Sequence, residues 1–178
     1  METVSKVGIV KVVLTALLGG LALGVVARSW MRWISTDPEF SWSGTIFIVL
    51  AFMIFSTNQS IVLLLRQKIR GKRSVLVVRT FGVIFSLPIF AAAGAIMFPT
   101  VALASVGTWN SSLGRRTRGV LLLLSLGIPI KISIDIISDF GWTVATLGRI
   151  LLFVFIYSLI IIATQPTVKS FHLDGVEK

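Results

Sequence analysis

The residues able to do chemistry are few, and they interrupt long apolar stretches. Lys131, Asp135 and Asp139 recur every four residues in the segment from Gly119 to Ser138, so on a helix they share one face and can pair along it. Arg149 follows in the next apolar segment. With the turn between the two placed at Phe140-Gly141, helical rise sets Asp135 about 8 Å, Arg149 about 11 Å and Lys131 about 14 Å from that turn. The depths predict that the three meet, and with Asp139 the group is formally neutral, as charges in lipid usually are. Two readings stay open: an ion-pair cluster that fixes the register of two helices, or a gate, proton relay or substrate site. Pro129 lies two residues before Lys131. It frees the carbonyl of Ser125 and bends the helix, and broken helices of this kind build binding sites in transporters.

A second polar set, Ser56-Thr57-Asn58-Gln59-Ser60, interrupts another apolar segment at a depth similar to that of Arg79. Asn58 and Gln59 can join helices, at about 1 kcal/mol per hydrogen bond in membranes, or cap the guanidinium of Arg79. Helix adhesion and an inner vestibule are the two readings. Pro88 kinks the helix that carries Arg79.

Other chemistries are excluded. The chain has no cysteine, so disulfides, thiolate catalysis and cysteine-based metal centres are absent. Its one histidine, His172, lies in the polar stretch after Pro166, which leaves no imidazole within the apolar segments for haem or a metal. GxxxxGK and HExxH are missing. The Asp135-x3-Asp139 pair lacks the further carboxylates that a metal-dependent phosphotransferase needs. Lys131 as a Schiff base would ask for more helices than this chain has. No catalytic residue, metal site or cofactor is therefore expected.

The elements that must position these residues follow from composition. Of 178 residues 55% are hydrophobic and 13% charged, whereas soluble domains carry about a quarter charged residues. The expected fold is an all-α polytopic membrane bundle, with segments at 7–27, 44–65, 74–94, 99–113, 119–138 and 142–163 and a polar tail at 164–178. The N-terminal run reads as a span, being too long for a signal peptide.

The region 74–113 decides the topology. If it crosses once, giving five spans, eight Lys and Arg face seven across the membrane; if it goes in and returns, thirteen face two. The second division matches the positive-inside rule. Gly94 and Pro99 also suit a helix end and a helix start. The limb 99–113 is about 22 Å long, short of the roughly 30 Å hydrocarbon core, so it reads as a short or re-entrant helix. Six segments with both termini in the cytoplasm are expected, in a bacterial cytoplasmic membrane, with five spans as the alternative.

Between the first two spans, Arg28, Arg32, Asp37 and Glu39 stand among Trp30, Trp33 and Trp42. This outer loop reads as an interfacial aromatic belt or a ligand lid. Here the sequence Ala27-Arg-Ser-Trp-Met-Arg-Trp-Ile-Ser-Thr-Asp-Pro-Glu-Phe-Ser-Trp-Ser-Gly44, with the start of the second span and Pro99-Thr100, resembles small multi-pass membrane proteins of actinobacteria. The resemblance covers about a sixth of the chain and implies no activity.

In the first span Ala16, Gly20 and Gly24 form a small-residue stripe. It allows close helix packing inside the bundle or against another subunit. The cationic run Arg66–Arg73 marks the cytoplasmic side and meets anionic lipid headgroups; with no aromatic platform beside it, nucleic acid is not expected as a partner. The function expected is a non-enzymatic small transporter, channel or membrane substrate-binding component working through its polar clusters. The alternative is an accessory subunit docking helices of a larger membrane complex, and partners are the bilayer and either a second copy or another membrane protein.

Overall fold

The computed structural model describes residues 6–37, 40–69, 71–92 and 95–170. Among the described residues the chain forms helices and no strand: α1 (Lys6–Trp33), α2 (Trp42–Arg66), α3 (Lys72–Ile84), α4 (Leu87–Ala92), α5 (Met97–Trp109), α6 (Arg115–Ser125), α7 (Gly127–Phe140), α8 (Val144–Ala163) and α9 (Gln165–Val168). Five helical units are long and apolar enough to cross a membrane: α1, α2, α3 with α4, α6 with α7, and α8 with α9. The helix α5, of 13 residues, is only about 20 Å long.

Proline explains why three of those units are divided. A proline offers no N–H to the carbonyl four residues back, and Pro88, Pro129 and Pro166 stand four after Ile84, Ser125 and Ile162. Helix α3 accordingly ends at Ile84 and α6 at Ser125, and α8 stops one residue past Ile162. Pro99 falls in the first turn of α5, where its missing donor costs nothing. Just before it, Ala95 takes a left-handed φ of 58°, which costs an alanine roughly 1 kcal/mol or more. Gly94, the residue expected to end the helix, lies outside the described residues, as do Glu39 and His172.

The expected segments run longer than their apolar stretches. Arg28 and Arg32 continue α1, and Trp42 opens α2 with Ser41 as its cap, the Gly44 N–H donating to the Ser41 hydroxyl at 3.2 Å. Thr143 caps α8 in the same way through Thr146. A side-chain oxygen at this position satisfies an N–H that has no partner inside the helix.

The small-residue stripe is used within the chain. A Cβ on Gly20 would lie 2.7 Å from the Phe52 carbonyl oxygen, and one on Gly24 3.0 Å from the Val49 Cα. Only glycine lets α1 and α2 approach so closely. Ala16 lies one turn further along, beside Ser56 and Ser60.

Arginines satisfy helix C-termini at one end of the bundle, where the last carbonyls lack partners and carry partial negative charge. Arg66 donates to the carbonyls of Pro166 (2.6 Å), Lys169 (2.8 Å) and Ser170 (2.9 Å), and Arg79 adds a bond to Lys169 at 3.1 Å. Arg118 likewise holds the carbonyls of Gly107 and Thr108 at the end of α5. Arg66, expected to meet lipid headgroups with the rest of its run, is instead turned onto α9. The stretch from residue 164 begins not as a polar tail but as a docked helix, with Thr164 and Thr167 buried. The last turn of α5 reaches this same basic end: Trp109 donates to the Ile161 carbonyl at 2.8 Å, and the Ser170 hydroxyl donates to Asn110 at 3.3 Å.

Candidate functional site

The centre of the bundle holds an apolar chamber of about 300 Å³, to which α1, α2, α4, α5, α7 and α8 all contribute. Trp30, Met31, Phe90, Met97, Phe153 and Tyr157 carry its character. Trp30 stacks on Phe153 with ring centroids 5.2 Å apart and planes 15° from parallel. The volume stands at the lower end of small-molecule sites, about 300–1,000 Å³. The chamber's walls are almost wholly apolar, so water finds few partners there.

The chamber has one polar knot at its inner end. Pro129 frees the Ser125 carbonyl, and the Thr100 hydroxyl takes it. The Tyr157 hydroxyl lies 3.1 Å from that of Thr100 and donates to the Thr100 carbonyl at 3.3 Å. Thr100, Ser125 and Tyr157 are all buried. Three helices are thereby tied at a point where an unmet carbonyl would cost ~1–3 kcal/mol.

One turn of α8 before Phe153, outside the chamber lining, stands Arg149. Arg149, Phe153 and Tyr157 recur every four residues and so share one face of α8, of which Phe153 and Tyr157 line the chamber. Trp30 donates its indole N–H to the Arg149 carbonyl at 2.8 Å. The Arg149 Nε donates to the Trp33 carbonyl at 3.0 Å. Its guanidinium lies 3.9 Å from the centre of the Phe140 ring and 5.4 Å from that of Trp33, both within cation–π range. Among the described residues it has no carboxylate partner.

The expected cluster of Lys131, Asp135, Asp139 and Arg149 does not assemble. Lys131 and Asp135 do pair, at 2.8 Å, but on the outside of the bundle, with side chains 72% and 55% exposed. Asp139 is exposed as well. The cause is helix facing: α7 turns Ile132 and Ile136 inward, which sends its charged row outward, while Arg149 belongs to the inward face of α8. Equal depth did not mean equal azimuth.

The inner set joins helices, while the Asn58 Oδ1 and the Thr57 hydroxyl are buried without a hydrogen-bond partner among the described residues. Asn58 donates to the Gly82 carbonyl at 2.9 Å; Gln59 donates to Ser86 at 2.9 Å and accepts from Thr167 at 2.7 Å. All four side chains are buried. Arg79 is not capped by either amide and instead serves the end of α9. These bonds join α2 to α3, the α3–α4 junction and α9, which is the adhesion reading rather than a vestibule.

In the outer loop Arg28 donates from Nε to the Thr45 hydroxyl at 3.2 Å, and Arg32 lies over Phe40 at 5.0 Å. Asp37 is exposed. Trp33 and Trp42 are exposed, as a belt requires, but Trp30 is 8% exposed and belongs to the core. Sequence reasoning missed Trp30 and Tyr157 as chamber residues and Thr100 as the partner of Tyr157. The signals were present: Ala27, Trp30, Met31 and Ile34 follow helical spacing, and Tyr157 is the only tyrosine, whose hydroxyl needs a partner inside an apolar span. Comparison of the chain with protein families, characterised proteins and solved structures finds no match.

Proposed function

We propose that the chain is a non-enzymatic membrane protein that takes up one apolar chain in its central chamber, as the substrate-binding part of a small transporter or carrier. The observation that carries this reading is the aromatic and aliphatic cavity of about 300 Å³ shared by six helices. Filling it recovers packing that neither the bilayer nor water supplies to an empty space. Ion conduction has less support, because Gln59 and the Asn58 amide N–H are engaged in helix contacts and the Lys131–Asp135 pair lies outside the bundle.

The same reading has six membrane segments. Helix α5 is the short fourth, returning to the side of the arginine-capped helix ends from which α3 sets out, which the positive-inside rule makes cytoplasmic. The chamber then opens in the outer half of a cytoplasmic membrane. A second reading, a subunit docked on a larger complex, is favoured by one observation: the Lys131–Asp135 pair, about 9–15 Å from the turn after α7, lies on the perimeter where a span would meet lipid.

Photolabelling with an uncharged dodecanol bearing a terminal diazirine tests the first reading. Adducts are expected on Met31, Phe90, Met97 and Ile160, and saturating as probe is added. Adducts spread over exposed perimeter residues such as Leu14 and Leu123, rising without saturation, would refute it. A partner of fixed stoichiometry, lost when Lys131 and Asp135 are both replaced by Leu, would favour the second reading.

A further inference from the structure

The chamber and the cation Arg149, which stands one helical turn from the Phe153 wall and whose carbonyl takes the indole N–H of the lining residue Trp30, make a two-part site. We infer that its occupant is an amphiphile with an anionic head, a carboxylate or phosphate, held by Arg149, with a single apolar chain in the chamber. This inference rests on the chamber reading and names the ligand class. Arg149 stands one helical turn from Phe153 on the same face of α8, and Tyr157 at the inner end lies about 12 Å further along that helix. Its Nε is already committed to the Trp33 carbonyl, and Phe140 and Trp33 hold the plane of the group. Among the described residues no acceptor takes its two Nη nitrogens. They remain as a paired set of donors, the geometry that carboxylates and phosphates accept in bidentate fashion.

Charge makes the same point. The guanidinium lies about 8 Å along α8 from Val144, part-buried against two aromatic rings, where an uncompensated cation is costly. A counter-ion arriving with the ligand removes that cost. The volume favours one chain over the two of a phospholipid, since it lies at the small end of ligand sites.

The test compares diazirine probes of equal chain length carrying a carboxylate, an alcohol or a trimethylammonium head, in vesicles of phosphatidylcholine. The carboxylate is expected to saturate the chamber at roughly tenfold lower concentration than the alcohol, in keeping with a charge-assisted bond, and the ammonium to bind weakest. Arg149→Gln should erase the carboxylate's advantage over the alcohol, and Arg149→Lys should keep part of it. Equal labelling by all three heads in the unaltered protein, which needs no variant to fold, would overturn the inference. If the alcohol still labels the chamber in that case, the chamber reading survives alone; if no head labels it, both fall. Competition by phosphatidylglycerol in the vesicles would identify a bilayer lipid as the source of the head. Competition by dodecyl phosphate or dodecanoate alone would identify a free single-chain amphiphile; either result supports the inference.

Discussion

Trp30 and Arg149 clasp α1 to α8 beside the chamber: the Trp30 indole N–H donates to the Arg149 carbonyl at 2.8 Å, and the Arg149 side chain returns a bond to the backbone of α1 at Trp33, three residues on. The first bond fixes the Trp30 ring against Phe153 and so shapes the wall; the second fixes the guanidinium against the end of α1. Trp30→Phe should keep the stacking and lose the bond, lowering stability by about 1 kcal/mol, whereas Trp30→Ala should cost about 3–5 kcal/mol by enlarging the cavity. Unfolding measured in detergent micelles separates the two.

The knot below the chamber gives a coupled prediction. Thr100→Val leaves the Ser125 carbonyl without its partner and should cost about 1–3 kcal/mol. Pro129→Ala restores an N–H that can reach the same carbonyl along the helix. The double variant should therefore lose less than the two single losses together, and a double-mutant cycle in the same unfolding assay reads that interaction.

Adjacent glycines in α1 should behave oppositely. At Gly20 a methyl would meet the backbone of α2 at 2.7 Å, while at Gly19 nothing lies within 4 Å. Gly20→Ala is expected to destabilise by about 1–3 kcal/mol through overpacking, and Gly19→Ala to stay within about 0.5 kcal/mol of the parent or to gain slightly. Equal effects would mean that α1 and α2 do not pack as described.

Arg66 should hold the end of the chain in place. Arg66→Gln removes the charged donor to three carbonyls of the α9 region, so hydrogen exchange across residues 165–170 should speed up by at least tenfold, while Arg116→Gln, at an exposed position, should leave it unchanged.

The perimeter pair should matter little to the isolated chain. Replacing Lys131 and Asp135 together by leucine removes an exposed ion pair, worth about 0–1 kcal/mol, and makes the outer face uniformly apolar. Stability in detergent is expected to change by less than about 1 kcal/mol, in contrast to Thr100→Val.

How much of this was written in the residue order depends on which degree of freedom is asked about. Length along a helix was legible: Pro129 and Ser125, four residues apart, forecast the freed carbonyl, and Gly20 and Gly24 forecast a close helix contact. Rotation about the helix axis was not. Lys131, Asp135 and Arg149 lie on the helices expected, yet Ile132 and Ile136 on α7 and Phe153 on α8 decide which faces turn inward, and the charges follow. Tryptophan spacing misled for a related reason: Trp30, Trp33 and Trp42 look like one belt, but α1 continues through Trp33, and helical rotation carries Trp30 into the core. The role of Arg66 depended on a helix end 100 residues away, a pairing that no local pattern encodes.

The most direct test of the account is the chain-length dependence of chamber occupancy. Alkanols of increasing length are competed against the dodecanol photoprobe, with concentration expressed per bilayer lipid, in the unaltered protein and in Ala92→Phe, which places a ring in the chamber wall. Affinity is predicted to rise with length until the roughly 300 Å³ is filled and then to level off, and Ala92→Phe should move that plateau to shorter chains. Competition that shows no saturation, or a plateau that Ala92→Phe leaves in place, would contradict a chamber built to hold a single apolar chain.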